Sequence, residues 1–213
     1  MTRVLLTGFE PFDGAAVNPS WEVARLVADQ PPAGLEVTPV RLSCAFGRAA
    51  GELRAAVRDS DPAVVVCLGQ ATGRTDISVE RIAVNIDDAR IPDNAGRQPI
   101  DRPVVPGGPA AYFATLPVKA CVAAVREAGL PSSLSHTAGT FVCNHVFYTL
   151  MHLLATERPT ARGGFVHVPA LPEQVLDRAQ PSLPAATAAQ ALRALLTAST
   201  RRTDLHTPEG TTH

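Results

Sequence analysis

The chain has 213 residues, of which 46% are hydrophobic and 18% charged, and its formal net charge is −1. These values are typical of one globular domain, exclude a disordered chain, and provide no field that would attract nucleic acid or an anionic membrane. No apolar run is long enough to cross a bilayer or to act as a signal peptide. The sequence therefore predicts a cytoplasmic protein.

Strand-like and helix-like segments alternate along the chain. Strands are predicted at residues 3–7, 35–42, 63–68, 133–137 and 165–168, and helices at 19–27, 49–57, 117–128, 141–158 and 184–199. This alternation predicts a single-domain, three-layer α/β/α sandwich with a mainly parallel, mixed central sheet. The domain is expected to span residues 1–200, and residues 201–213, which lack an apolar period, to form a disordered tail.

The segment TDISVERIAVNIDDARIPDN, at residues 75–94, alternates in two phases. The phase changes at Glu80 and Arg81, where a bulge or turn would expose a side chain that a regular strand would not. The following residues, 91–109, are rich in proline and glycine and predict an irregular excursion. A loop of this length serves as a lid, a binding loop or an interface arm, and the sequence does not choose among them.

The segment AGTFVCNHVFYTLMHLL, at residues 138–154, places a cysteine where a glycine-bearing loop enters an apolar helix. Thr140 is expected to cap this helix, so that Cys143 lies in the first turn, near unpaired N–H groups and the positive end of the helix dipole. A thiolate is favoured in such a position, and the sulfur would be nucleophilic near neutral pH. A buried structural thiol is the alternative reading of the same residue.

The other three cysteines, Cys44, Cys67 and Cys121, form no CxxC pair. Their wide separation argues against a zinc site and against a disulfide framework. Cys67 and Cys121 lie in apolar stripes and are expected in the core, whereas Cys44 has no distinguishing context.

A candidate base lies in GGFVHVPALPEQ, where His167 stands near the end of a short apolar strand. Brought together in space, His167 and Cys143 would form a base and nucleophile pair, and Glu80 would hold the imidazole in the required tautomer. Taken singly, Glu80 also fits a solvated acid and His167 a hydrogen-bonded structural histidine.

Several blocks in one order give the chain a family resemblance. They are TGFEPFDG, NPSWEVA, LGQATGR, ERIAVNIDDARIPDN, GPAAYFATLPVKA, TAGTFVCNHVFY and HVPALPEQ, and they span residues 7–174. Together they closely resemble pyroglutamyl-peptidase type I, the pyrrolidone-carboxylate peptidase family of cysteine exopeptidases. The resemblance implies removal of N-terminal pyroglutamate from peptides, with Cys143 as nucleophile, His167 as imidazole and Glu80 as acid.

The family also implies a pocket for the five-membered lactam ring. Phe9 and Phe12 would face the ring and Phe141 would lie beside the nucleophile, although core packing around a turn also explains the first two. Such a pocket requires flat apolar contact and a few polar groups. Gln70 matches a family position associated with substrate recognition, and Asn18 is a weaker polar candidate.

The tetrahedral oxyanion would be stabilised by backbone N–H groups near Cys143 and in the Gly8–Phe9 loop. Arg90 matches a family arginine near the active centre and would assist them. Asp93 is expected to be a local turn residue. Two departures from the family pattern, His136 and Ala170, remove no catalytic group.

The predicted mechanism needs neither a cofactor nor a metal. His145 and His152 share one face of the Cys143 helix, but no partner ligands accompany them, and both are expected to be structural. The resemblance implies a homo-oligomer. Two rival functions remain: a nucleoside phosphorylase on a similar scaffold, for which no phosphate-binding motif is found, and a catalytically silent binder of pyroglutamyl peptides.

Overall fold

The computed structural model describes residues 1–210. Its eight strands are β1 (Thr2–Phe9), β2 (Leu35–Leu42), β3 (Val64–Gln70), β4 (Ile77–Glu80), β5 (Ile82–Val84), β6 (Ala111–Phe113), β7 (Ser132–Ser135) and β8 (Arg162–Val168). Its five α-helices are α1 (Pro19–Asp29), α2 (Arg48–Ser60), α3 (Val118–Glu127), α4 (Val142–Glu157) and α5 (Ala185–Ser199). One turn of 3₁₀ helix follows β8 at Pro172–Gln174.

Six of the strands form a central sheet in the order β2-β1-β3-β8-β4-β7. All neighbours in this sheet pair in parallel except β4 and β8, which are antiparallel. The apolar residues of α1, α3 and α5 pack on one face of the sheet, and those of α2 and α4 pack on the other. The predicted three-layer sandwich with a mainly parallel, mixed sheet is therefore confirmed.

The change of phase at Glu80 and Arg81 separates two sheets. β4 belongs to the central sheet, whereas β5 pairs with β6 in a separate two-stranded antiparallel sheet. Arg81 lies between them, and its N–H donates to the carbonyl of Ser135. The sequence missed β6 because three residues are too few to show an alternating pattern.

Residues 91–109 contain no helix or strand, as expected, but they are bonded to the rest of the protein. Asp93 accepts hydrogen bonds from the N–H groups of Ala95 and Arg97, which is the expected turn geometry. Its second oxygen accepts from the N–H of Phe46, and the Arg97 guanidinium donates to the Phe46 carbonyl. This segment and the loop before α2 therefore hold each other in place.

The C-terminal segment differs from its expected disorder. Asp204 accepts hydrogen bonds from the N–H groups of Lys119 and Ala120 at the start of α3, and Glu209 pairs with Arg126. Helix α3 follows Pro117 and has no side-chain cap of its own, so the Asp204 carboxylate satisfies donors that would otherwise lack partners. Residues 204–209 thus lie against α3, while the last part of the predicted tail, 211–213, is outside the described residues. Among residues 1–210, no helix combines the length and apolarity needed to cross a membrane.

Candidate active site

Strand alternation places two candidate residues, His167 and Glu80, on the face of the sheet that α4 covers. Phe165 of β8 packs into the core on that side, and His167, two residues later, points the same way. His167 pairs with Gly69 of β3 on one side and with Ser78 of β4 on the other. Glu80, two residues beyond Ser78, shares this face.

The imidazole of His167 is hydrogen-bonded to Glu80, which lies deeper in the sheet. The distance between Nδ1 of His167 and Oε1 of Glu80 is 2.7 Å. Because β4 runs antiparallel to β8, Glu80 lies level with Phe165, farther into the sheet than His167, and it is fully buried. A carboxylate only accepts hydrogen bonds, so Nδ1 carries the proton and Nε2 is the basic nitrogen. Glu80 was expected at an open strand end, and the reversed strand explains its burial.

The thiol of Cys143 lies above this pair of strands. Cys143 is the second residue of α4, and a Cβ atom added to Gly69 would stand 2.8 Å from its Sγ. Gly69 is the residue that pairs with His167 across β3 and β8. The missing side chain at Gly69 therefore leaves the space that the sulfur occupies, and the structure brings Cys143, His167 and Glu80 together in one place.

The start of α4 differs from the expected cap. The N-cap is Phe141 and makes no side-chain capping bond, while the hydroxyl of Thr140 donates to the carbonyl of Asp88. Cys143 nevertheless remains in the first turn, as predicted. Because no side chain caps this terminus within the described residues, the first-turn N–H groups are left to bind another acceptor.

Burial sets the protonation states of the pair. It raises the pKa of the Cys143 thiol, the charge of Glu80 adds to this effect, and Arg74 opposes it. Burial also lowers the pKa of His167, although Glu80 acts in the opposite direction. Both directions favour a neutral thiol beside a neutral imidazole. These directions oppose the resting thiolate that the helix-start position predicts, because desolvation favours the neutral thiol.

An arginine that the sequence reasoning missed contacts the acid. The guanidinium of Arg74 donates to Oε1 of Glu80 at 2.6 Å and to the carbonyl of Thr137 at 3.0 Å. Its only signal in the sequence is its place in the LGQATGR block. Arg90, the predicted arginine, is exposed and makes no side-chain hydrogen bond or ion pair within residues 1–210.

Aromatic side chains surround the start of α4. The ring centroids of Phe12 and Phe141 are 5.2 Å apart, and those of Phe46 and Phe141 are 5.3 Å apart. Phe12 and Phe141 are half-buried, so a flat apolar group is able to reach them. Phe9 is buried in the core and belongs to the packing rather than to an accessible wall. Phe46, which the sequence did not single out, is also buried and supports the Phe141 ring from the core side.

Two predicted polar candidates are engaged inside the protein. The amide of Asn18 caps α1 by accepting from the N–H and hydroxyl of Ser20, and its NH₂ donates to the carbonyl of Glu10. The hydroxyl of Ser20 accepts from the N–H of Phe9. Asn18 is therefore a helix cap whose role as a ligand group stays a prediction, and the Phe9 N–H is not free for an oxyanion.

Gly8 has a packing role. It lies within β1 rather than in a loop, and a Cβ atom there would stand 2.5 Å from the carbonyl oxygen of Ser20. Only glycine allows α1 to approach β1 so closely. The N–H groups of Thr2 and Glu10 donate to carbonyls at the two ends of β2. Because N–H groups alternate in direction along a strand, the N–H of Gly8 points towards β2 as well, and not towards the Cys143 thiol.

Gln70 stands at the end of β3, next to Gly69 and beside the opening of the site. Its amide nitrogen donates to the hydroxyl of Thr72 at 3.1 Å, and its oxygen accepts a long bond of 3.4 Å from Gln174. It is half-buried, and its role in substrate recognition stays a prediction.

Three other histidines, His136, His145 and His152, are engaged elsewhere or lie at the surface. His145 is held between Asp87, at 2.8 Å from Nδ1, and the N–H of Gly47, which donates to Nε2. Because both ring nitrogens are occupied, this second carboxylate–histidine pair fastens α4 to the loop before α2. His152 is bonded to Tyr112 and His136 is exposed. Ala170 is buried, and no group of metal-ligating side chains is found in the described part of the chain.

Comparison with known proteins gives one consistent result. The model of the pyroglutamyl peptidase family matches residues 2–202. The pyrrolidone-carboxylate peptidases of Streptomyces coelicolor and Klebsiella pneumoniae are 63% and 53% identical to this chain, each over the full length of both proteins. The crystal structure of pyroglutamyl peptidase I from Bacillus amyloliquefaciens superposes with a TM-score of 0.94 at 42% identity, covering 97% of this chain and 99% of that one. Pyrrolidone carboxyl peptidase from Thermococcus litoralis gives a TM-score of 0.93 at 37% identity, covering 98% and 100%. A phosphorylase or a silent binder receives no support from these relatives.

Proposed function

This chain belongs to the pyroglutamyl peptidase family, and we propose that it is a cysteine peptidase that hydrolyses the amide bond after an N-terminal pyroglutamyl residue. The observation that carries the assignment of roles is the arrangement of Cys143 over Gly69, with the Glu80-bonded imidazole of His167 on the adjacent strand. It supplies a nucleophile, a base and a group that orients the base.

The first step is attack by sulfur with transfer of its proton. As Sγ of Cys143 bonds to the exocyclic carbonyl carbon of the pyroglutamyl group, the thiol proton passes to Nε2 of His167. The C=O π electrons move to oxygen and form the oxyanion. Glu80 stabilises the imidazolium that results, because its carboxylate is bonded to the opposite nitrogen.

The second step breaks the amide bond and then the thioester. Nε2–H of His167 protonates the departing amine as the C–N bond breaks, which leaves the pyroglutamyl group on sulfur. His167, neutral again, removes a proton from water as the water oxygen attacks the thioester carbonyl. The C–S bond breaks, the proton returns to the thiol, and free pyroglutamate leaves.

Stabilisation of the oxyanion is assigned to the N–H groups of the first turn of α4. They lie beside Cys143, carry the positive end of the helix dipole and lack a side-chain cap within the described residues. Arg90 is exposed, two residues after Asp88, whose carbonyl accepts from the Thr140 hydroxyl before α4, and it is a secondary candidate for this role.

Recognition of the lactam ring is assigned to the half-buried aromatic rings and to one amide. Phe12 and Phe141 offer flat apolar surface beside the thiol, and Gln70 offers a donor and an acceptor at the end of β3. The lactam has one N–H and one C=O in a planar ring, so this combination suits it.

A pair of fluorogenic amides tests the proposal. Purified protein is assayed with pyroglutamyl-7-amido-4-methylcoumarin and with the prolyl analogue, which has the same ring size but lacks the ring carbonyl. We expect hydrolysis of the first and a value of kcat/KM at least about 10³-fold lower for the second, because an unmet polar pocket rejects an analogue strongly. Equal rates on both, or none on the first, would contradict the proposed specificity.

We further propose a cytoplasmic homo-oligomer. All four cysteines are free, which suits a reducing compartment. Phe113 and Ile100 are 68% and 67% exposed, and such apolar side chains are typical of a surface covered by a second copy. Light scattering coupled to gel filtration, compared between wild type and Phe113→Asp, checks the second part: the variant should dissociate.

A further inference from the structure

The guanidinium of Arg74 joins three parts of the site. It extends from the loop between β3 and β4, contacts Glu80 at the end of β4, and reaches the carbonyl of Thr137 in the loop before α4. We propose that Arg74 is a positioning residue of the active site that keeps Glu80 ionised and holds the α4 loop beside it. This inference rests on the proposed function, since it concerns the same proton transfers.

The first support is the state of the Glu80 carboxylate. Its Oε1 accepts from both Arg74 and His167, at 2.6 and 2.7 Å, whereas its Oε2 is buried with no hydrogen-bond partner within residues 1–210. A fully buried carboxylate with one unsatisfied oxygen is poorly solvated and is stable as an anion only beside a positive charge. A carboxylate is what the mechanism needs, because a neutral acid would not stabilise the imidazolium.

The second support is the identity of the compensating cation. Two side chains form ion-pair contacts with Glu80, namely Arg74 and His167. His167 rests neutral, so Arg74 is the group that supplies a permanent positive charge at this carboxylate. Arginine suits this position because it does not lose its proton in proteins and its planar fork donates in two directions at once.

The third support is the second hydrogen bond that the Arg74 guanidinium donates. The Thr137 carbonyl accepts from Arg74 at 3.0 Å and from the hydroxyl of Ser135, and the Thr137 hydroxyl accepts from the N–H of Gly139. These bonds fix the short loop that leads through Phe141 into α4. Arg74 therefore couples the acid to the backbone that positions the nucleophile.

Loss of the positive charge of Arg74 has a predictable effect on the protonation of His167. The titratable and charged groups around this imidazole are Glu80 on β4, Cys143 on α4, Cys67 on the adjacent strand β3, and Arg74 itself. Without the guanidinium, the anion at Glu80 is stabilised only by protonating His167, which removes the base. As the pH is lowered, activity should then be lost at a higher pH than in wild type.

The test compares Arg74→Gln, Arg74→Lys and Arg126→Gln. Arg126 is the matched control because it also donates to a backbone carbonyl, that of Ser132, and pairs with a carboxylate, Glu209, away from the site. For each protein, kcat/KM for a pyroglutamyl amide is measured from pH 4.5 to 9. The imidazole of His167 is titrated separately by NMR, which needs no turnover.

We expect Arg74→Gln to move the acid limb of kcat/KM, and the NMR titration of His167, upward by about one pH unit, which reduces kcat/KM on the acid limb by up to about tenfold. Arg74→Lys should keep the wild-type limb, because it keeps the charge, while Arg126→Gln should match wild type throughout. An unshifted His167 titration in folded Arg74→Gln overturns the inference even if activity falls. If wild type itself does not turn over, the proposed function fails, and the NMR result still decides the role of Arg74. If Arg74→Gln does not fold, Arg74→Lys decides the matter. An acid limb of kcat/KM at higher pH in Arg74→Lys than in wild type, although the positive charge is retained, would overturn the inference.

Discussion

The protonation state of the nucleophile gives the sharpest prediction. The thiol of Cys143 lies half-buried over Gly69, and burial raises its pKa above the ordinary value of 9.0. Burial lowers the pKa of His167 below 6.5 in the same site. Between these two values the pair should rest as thiol and imidazole, rather than as the thiolate–imidazolium ion pair found in strongly activated cysteine proteases.

The expected size of the effect follows from these directions. A thiol with a pKa of 9.0 is about 1% ionised at pH 7, and a raised pKa makes the fraction smaller. An ion pair of the activated kind would instead be almost fully ionised at pH 7. The two states therefore differ by roughly one whole thiolate per protein molecule.

Thiolate absorbance near 240 nm measures this difference directly. Spectra of wild type and Cys143→Ser are compared from pH 5 to 10, and the difference reports the thiolate at position 143. The other cysteines do not interfere, since burial raises the pKa of Cys44, Cys67 and Cys121 to about 12. We expect almost no difference at pH 7 and a rise only above about pH 9. A full equivalent of thiolate at pH 7 would refute the reasoning.

Three further predictions use the same site. Since the neutral form of His167 is the base and burial lowers its pKa, kcat/KM should fall only as the pH drops through a value below 6.5, and an acid limb above that value contradicts this role. Glu80→Gln should reduce kcat by about 10³- to 10⁴-fold, less than Cys143→Ala, because it removes the group that orients the base but leaves the nucleophile; a loss greater than that of Cys143→Ala would reverse the assigned roles. Gly69→Ala should reduce kcat more than tenfold, since its Cβ would stand 2.8 Å from the Sγ of Cys143. Its control is Gly51→Ala in α2, which has open space around it; this variant should keep full activity and raise the free energy of unfolding by about 0.5–1 kcal/mol in a denaturant titration. Equal activities of these two variants would refute the close approach of Sγ to Gly69.

Much of the fold was readable from apolar periodicity. The predicted strand at residues 35–42 has the bounds of β2, and the change of phase near Glu80 marks the boundary between two sheets. The reversed direction of β4 was not readable, because pairing is a tertiary choice that strand pattern does not encode. This reversal decides how deeply Glu80 is buried.

The site was predicted through its motifs more than through its environment. Cys143, His167 and Glu80 come together as expected, since strand ends and helix starts are recognisable locally. Arg74 was missed because its contact depends on the path of a loop. The desolvation that opposes a resting thiolate was not predicted, because a helix start is visible in a sequence, whereas burial is not.

Asn18 has two predicted uses in the sequence. Both of its predicted uses, helix cap and pocket ligand, are chemically reasonable. In the structure its amide oxygen caps α1, and its NH₂ group donates to the carbonyl of Glu10.

Mass spectrometry of the acyl-enzyme tests the central claim most directly. Wild type, Cys143→Ser and Cys121→Ser are mixed with a pyroglutamyl ester, quenched in acid and digested. We predict one pyroglutamyl adduct on the peptide that carries Cys143 in wild type and in Cys121→Ser, and loss of both thioester and amide turnover in Cys143→Ser. An adduct on another residue, or near wild-type turnover by Cys143→Ser, would contradict the account.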